Sequence, residues 1–143
     1  MMNRDQFRFF YELRVRYAEA DSQGIVFNAH YLTYFDTAIT EYMRNIKYDY
    51  HTLVSTRGLD FHLVKSTVEY LKPIRFDEII EIGVSAHKIG TSSLTWMLAI
   101  FKKGESECAA KGEIVWVCFR VGTNKSHPLP EDFVALLSEY EKP

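Results

Sequence analysis

Between residues 31 and 46, apolar and aromatic side chains recur at Leu32, Phe35, Ala38, Ile39, Tyr42, Met43 and Ile46. This is the i, i+3, i+4, i+7 spacing of a helix with one broad apolar face. No other stretch keeps that period for as long, and the text after it is β-like. Residues 61–70, 79–89, 93–101 and 109–121 are each rich in Val, Ile, Thr, Phe, Tyr and Trp, and each is bounded by Gly, Pro or charge clusters. A helix with one apolar face must bury it, and a sheet is the surface on offer. The breaks between the strands are too short for parallel crossovers, so an antiparallel sheet is expected. Ahead of the helix, Tyr11, Leu13, Val15 and Tyr17 alternate with Glu12, Arg14 and Arg16, which predicts a further half-buried strand over 11–17. Tyr48, Leu53 and Gly58 mark a short second helix. Phe133, Leu136, Leu137 and Tyr140, behind Pro128 and Pro130, mark a short C-terminal one. The predicted class is α+β, with one long helix enfolded by a five-stranded antiparallel sheet. Its edge strands would leave backbone groups unpaired, so pairing with a second copy of the chain is expected.

At 143 residues the chain is read as one domain, 1–143, and 47% apolar content is enough to fill its core. Seventeen Lys and Arg against nineteen Asp and Glu leave a net charge of −2, which argues against a nucleic-acid partner. The longest apolar run, residues 94–101, is eight residues, whereas a membrane span needs roughly 18 or more. The first residues lack the apolar core of a secretory signal, so a cytoplasmic location is expected. Cys108 and Cys118 stand ten apart on one predicted strand, too far to bridge, and read as buried thiols. His30, His51, His62, His87 and His127 are scattered without ligand spacing, and no Cys-x-x-Cys occurs, so no metal is expected. Neither a Gly-x-Ser-x-Gly elbow nor a phosphate-binding Gly-x-x-x-x-Gly-Lys loop is present.

The remaining place for chemistry is the junction between the first strand and the long helix. A helix start presents unpaired N–H groups and the positive end of the helix dipole. Phe27, Asn28 and Ala29 are therefore candidate donors to a carbonyl or anionic oxygen. Asp21 lies just before them on a loop containing Gly24. A carboxylate and N–H donors converging on one point would suit acyl transfer. Asp21 followed by Gly24 is also the signature of an ordinary Asx-turn, and spacing alone leaves both readings open.

The segment Tyr17-Ala18-Glu19-Ala20-Asp21-Ser22-Gln23-Gly24-Ile25-Val26-Phe27-Asn28-Ala29-His30-Tyr31-Leu32-Thr33-Tyr34-Phe35 resembles the 4-hydroxybenzoyl-CoA thioesterase branch of the hotdog-fold superfamily, with its YbgC-like acyl-CoA thioesterases. Val68-Glu69-Tyr70-Leu71-Lys72-Pro73-Ile74-Arg75-Phe76-Asp77, the turn Ile89-Gly90-Thr91-Ser92-Ser93-Leu94 and the run 110–130 extend the resemblance in the right order. It implies a hotdog fold and hydrolysis of an acyl-CoA thioester. It also implies Asp21 as general base or nucleophile and the Asn28 backbone N–H as the group that polarises the carbonyl. Where many YbgC-like members carry His, and the hydroxybenzoyl enzyme Tyr, this chain has Asn28, so only a main-chain role carries over. Glu19, where many relatives have Asp, is read as a loop or surface acid. His30 is read as solvent-facing and Tyr31 as a core aromatic that also matches the family.

Gly24, Phe27, Tyr31, Lys65, Lys88, Gly90, Thr91 and Ser92 are the expected substrate-binding residues. The basic ones, with Arg75, would meet CoA phosphates. CoA counts as part of the substrate, so no cofactor is expected. The expected partners are an acyl-CoA or acyl-carrier-protein thioester and further copies of the chain, as a dimer or a dimer of dimers. Two alternatives differ in class. A hotdog acyl-carrier-protein hydratase or dehydratase would need His30 with Asp36 or Glu41, and a non-catalytic acyl-CoA-binding domain would have no need of Asp21.

Overall fold

The computed structural model describes residues 2–143. Strand β1 (Phe9–Arg14) is followed by helix α1 (His30–Asn45), helix α2 (Tyr50–Arg57), and strands β2 (Leu59–Tyr70), β3 (Ile79–Ile89), β4 (Ser93–Lys102) and β5 (Cys108–Arg120). Helix α3 (Glu131–Glu141) closes the order. All five strands form one antiparallel sheet in the order β1-β3-β4-β5-β2.

Helix α1 lies on the face that carries Ile80, Ile82, Leu94, Leu98, Ile100 and Ala110. Its Tyr31, Tyr34, Phe35, Ala38, Ile39, Tyr42 and Met43 are buried there. Leu32, assigned to the apolar stripe from its spacing, is instead 39% exposed, and Tyr34 takes the inward place. Tyr34 can do so because its hydroxyl finds a partner, described below. The helix comes close to the sheet at Gly112 of β5. A Cβ placed there would lie 2.1 Å from the Thr67 carbonyl oxygen and 2.7 Å from the Phe35 ring.

The first strand ends earlier than the alternation predicts. Val15 is buried, but Tyr17 is 80% exposed in a single 3-10 turn, Tyr17–Glu19, and rests against Phe76. The cause is local: the Glu19 carboxylate takes the Arg16 N–H at 2.8 Å and bends the chain out of the strand. Leu136 is likewise exposed, and α3 docks through Phe133 and Leu137. The last turn of α3 is held by Glu141, whose carboxylate accepts from the Tyr42 hydroxyl at 2.6 Å and from the Ala86 N–H at 2.8 Å.

An aromatic ladder runs through the core, from Tyr42 to Trp96, Trp116 and Phe61, with neighbouring ring centroids 5.0–5.5 Å apart. The opposite face of the sheet is covered at one end by Phe7 on Phe101, Ala99 and Cys108, a small second cluster that no sequence periodicity announced. Both cysteines are buried and unpaired on β5. Among the described residues, no helix is long and apolar enough to cross a membrane.

Candidate active site

Residues 20–26 form a tight loop because two backbone hydrogen bonds and one glycine conformation close it. The Asp21 N–H donates to the Ile25 carbonyl at 2.8 Å, the Gly24 N–H to the Asp21 carbonyl at 2.9 Å, and Gly24 holds φ +76°, a conformation open to glycine at little cost. The loop is stitched to the β2–β3 connection by Val26 N–H to the Ile74 carbonyl (2.7 Å) and Phe76 N–H to the Gly24 carbonyl (3.0 Å). One Asp21 oxygen accepts the Gln23 N–H at 2.8 Å. The Asx-turn is therefore real, and it leaves the other carboxylate oxygen without a partner among the described residues.

Helix α1 begins without a capping side chain. The Phe27 N–H, one of the three expected donors, is spent on the Glu19 carbonyl at 2.9 Å. The next two, Asn28 and Ala29, donate to no acceptor among the described residues, so the available donors are fewer than the sequence predicted.

Asp21 and Asn28 border the same cavity, of about 360 Å³, together with Val26, Tyr31 and residues 70–73. Tyr31 and Tyr70 meet edge to face at 4.8 Å, and the Tyr70 hydroxyl donates to the Asn28 carbonyl at 3.3 Å. Burial, and then the neighbouring Tyr70, push the Tyr31 phenol above its ordinary value, so it stays neutral at physiological pH. Lys72 lines the same opening and is paired with Glu107 at 2.9 Å and Glu105 at 3.6 Å. Three of these wall residues, Tyr70, Leu71 and Pro73, are uncharged, and none of residues 70–73 was singled out for a site role. Their only signal was the quoted β2–turn segment.

Several expected binding residues lie elsewhere. Phe27 is exposed and contacts His30 rather than lining the cavity, and Gly24 borders an adjoining hollow with Tyr17, Ser22 and Phe76 that shares Asp21 with the cavity. Lys65 shares a cross-strand row with Val115, Thr95 and Lys88, on the face of the sheet opposite α1. A bulge between Leu63 and Lys65 shifts the alternation by one, so that Val68 and Tyr70 point toward the helix and Lys65 away. Gly90, Thr91 and Ser92 form the β3–β4 turn, level with the Leu59 end of β2 and far from Tyr70. Their backbone oxygens hold the C-terminal segment: Thr91 accepts from Leu129 and Ser92 from Cys118, each at 2.8 Å. Arg75 is exposed, with its N–H given to Glu78 at 2.7 Å. Within one chain Lys65, Lys88, Arg75 and the 90–92 turn are not among the residues that line the cavity.

The misread residue is Glu19. It is 7% exposed, the one buried charged side chain among the described residues, and not a surface acid. Burial favours its neutral form, yet hydrogen bonds from the Arg16 side chain and backbone and from Tyr34 outweigh this and hold the carboxyl below the usual range.

A model of the thioesterase-like superfamily matches residues 15–137, which includes every element that builds the cavity. The chain belongs to this superfamily. Among thioesterase-like relatives, it is 31% identical to the acyl-CoA thioester hydrolase YbgC of Escherichia coli O157:H7 over 94% of its own length and 97% of the relative's. A Pseudomonas aeruginosa protein of known structure is 27% identical, with a TM-score of 0.85 over 96% of this chain and 94% of that one. The 1,4-dihydroxy-2-naphthoyl-CoA thioesterase of Synechocystis superposes with a TM-score of 0.87 at 17% identity, over 94% of this chain and 98% of its own, a likeness of fold. The thioesterase-like chain thus has the hotdog arrangement that the resemblance implied.

Proposed function

We propose that the chain hydrolyses acyl-CoA thioesters at the cavity between the Asp21 turn and the start of α1. The observation that carries this reading is the meeting, at one opening, of a partner-free Asp21 oxygen and the partner-free Asn28 N–H. The N–H donates to the thioester carbonyl oxygen, and such a donor is worth about 2.7–4 kcal/mol as the oxyanion forms. Asp21 either takes a proton from the attacking water or attacks the carbonyl itself, giving a mixed anhydride that water then opens. In both cases the C–S bond breaks and the thiolate leaves unaided, since a thiol pKa of about 8.5 makes it a good leaving group. Water and thioester balance the reaction, so no cofactor enters. The assay is release of free thiol, trapped as it forms, from a panel of acyl-CoAs, an acyl-carrier-protein thioester and N-acetylcysteamine thioesters. No release from any of them would sink the hydrolase reading and leave a binding domain. A hydratase is not favoured, because His30 lies outside the cavity lining.

Asn28→Ala should leave kcat within about threefold of wild type, because the proposed donor is main chain. A loss as large as that expected for Asp21→Asn would show that the amide side chain acts.

The assembly proposed is a dimer formed through β2, with a dimer of dimers as its extension. β2 is a twelve-residue edge strand, and Leu63 and Val64 are 59% and 57% exposed on it. The other edge, β1, is six residues long and carries the exposed charges Glu12 and Arg14. A long edge with two exposed aliphatic side chains calls for a partner, and a short one carrying only charges at its exposed positions discourages it. Any CoA contact by Lys65, Lys88 or the 90–92 turn would then come from a second subunit. Light scattering should give at least twice 16.7 kDa, and Val64→Lys should shift the chain toward monomer. A wild-type monomer at micromolar concentration would refute the pairing. The two unpaired buried thiols fit a reducing compartment, and the cytoplasm is the location proposed.

A further inference from the structure

A buried carboxylate is costly unless its oxygens are satisfied, and Glu19 has no role in the chemistry above that would explain the cost. Its oxygens are fully engaged. Oε1 accepts from the Arg16 N–H at 2.8 Å and from the Tyr34 hydroxyl at 2.9 Å, and Oε2 accepts from Arg16 Nε at 3.0 Å and Nη2 at 2.5 Å. Three segments meet on this one residue. Arg16 is the exit from β1, and Tyr34 is on α1 one turn beyond Tyr31, which lines the cavity. Through its carbonyl Glu19 also holds the Phe27 N–H, immediately before Asn28, and Asp21 follows two residues later. Tyr34 offers a second sign: it is 1% exposed on the buried face of α1, where Phe would pack as well, and its hydroxyl bonds only to Glu19 among the described residues.

We propose that Glu19 is a positioning residue, which fixes the Asp21 turn against the start of α1 and so sets the gap that the thioester carbonyl must fit. This rests on the reading of Asp21 and the Asn28 N–H given above. By taking the Phe27 N–H, Glu19 also decides which donor comes next to the cavity. The substrate's remaining contacts do not pass through Glu19, so its loss falls on the reacting geometry and spares binding.

The test compares Glu19→Gln, Tyr34→Phe, Asp21→Asn and the Glu19→Gln/Asp21→Asn pair, by steady-state and single-turnover hydrolysis of one acyl-CoA, with folding followed by circular dichroism. Glu19→Gln should lower kcat about 10- to 100-fold, since a misplacement near 1 Å costs on that order, while KM stays within about threefold. Tyr34→Phe should lower kcat less, with the same unmoved KM. In the Asp21→Asn background, Glu19→Gln should add less than about twofold, because a residue that acts through Asp21 has nothing left to position. A wild-type kcat in Glu19→Gln, or a loss that multiplies in full onto Asp21→Asn, would overturn the proposal. Should Glu19→Gln fail to fold, Tyr34→Phe decides: it keeps the charge and removes one bond, and an unchanged kcat overturns the proposal. Near-wild-type turnover by Asp21→Asn alone would remove the site reading and this inference with it. Full loss there with an unaffected Glu19→Gln removes only the inference.

Discussion

Asp21→Asn is expected to lower kcat for acyl-CoA hydrolysis by about two orders of magnitude or more, with substrate affinity little changed. The substitution keeps the size of the side chain and an oxygen that can still take the Gln23 N–H, so the Asx-turn at 2.8 Å survives. What disappears is the basic, nucleophilic oxygen that has no partner in the folded chain. Because the proposed role of that oxygen is on the attacking water or the carbonyl carbon, its loss belongs to the transition state and appears in kcat rather than in KM. The measurement is single-turnover hydrolysis beside a binding titration. Turnover within threefold of wild type would disprove the role given to Asp21.

Gly112→Ala is expected to cost about 3 kcal/mol or more of stability, at the upper end for one added methyl group. Overpacking is usually relieved by a rotamer change, but here the new carbon would meet a main-chain oxygen, Thr67 O at 2.1 Å, as well as the Phe35 ring at 2.7 Å. The oxygen belongs to β2 and cannot swing aside without breaking the β2–β5 ladder, in which Val68 faces Gly112. Phe35 is held by the helix. The urea midpoint should fall accordingly, and a midpoint equal to wild type would mean that α1 does not approach the sheet so closely.

Much of the framework was legible because local chemistry writes it. The bounds of β3 follow from the Pro73 turn and the Gly90 turn, and residues 79–89 were read without error. The axial period of α1 was equally plain, but Leu32 stood in the stripe where Tyr34 belongs, because the acceptor that settles the Tyr34 hydroxyl inside, Glu19, lies 15 residues earlier. Glu19 was misjudged for the reciprocal reason: beside a turn an acid is normally solvated, and its burial depends on partners that no window of sequence contains. Lys65 was named for CoA phosphates from its charge alone, and which face of the sheet it occupies was not legible, because alternation along β2 cannot reveal the bulge between Leu63 and Lys65. Asp21 and the α1 start were legible as a local motif strengthened by resemblance. The opposite wall of the cavity was not, because Tyr70 and Asn28 are separated by 42 residues and meet only through the fold.

The aromatic ladder gives the molecule two separate optical reporters. Of its two tryptophans, Trp96 is fully buried with an indole N–H that bonds to nothing among the described residues, and Trp116 is partly buried beside it. Indole emission in so apolar a setting lies toward the blue and shifts red when water enters, so it follows unfolding. The cavity is lined by Tyr31 and Tyr70 and by no tryptophan, so an acyl ligand there leaves that emission nearly unchanged and acts on tyrosine absorption instead. Trp116 also faces the groove that Leu63 of β2 shares with α1, which couples its emission to whatever covers that edge. Dissociation of the proposed dimer on dilution would then be visible in tryptophan light while the tyrosines of the cavity stay dark to it.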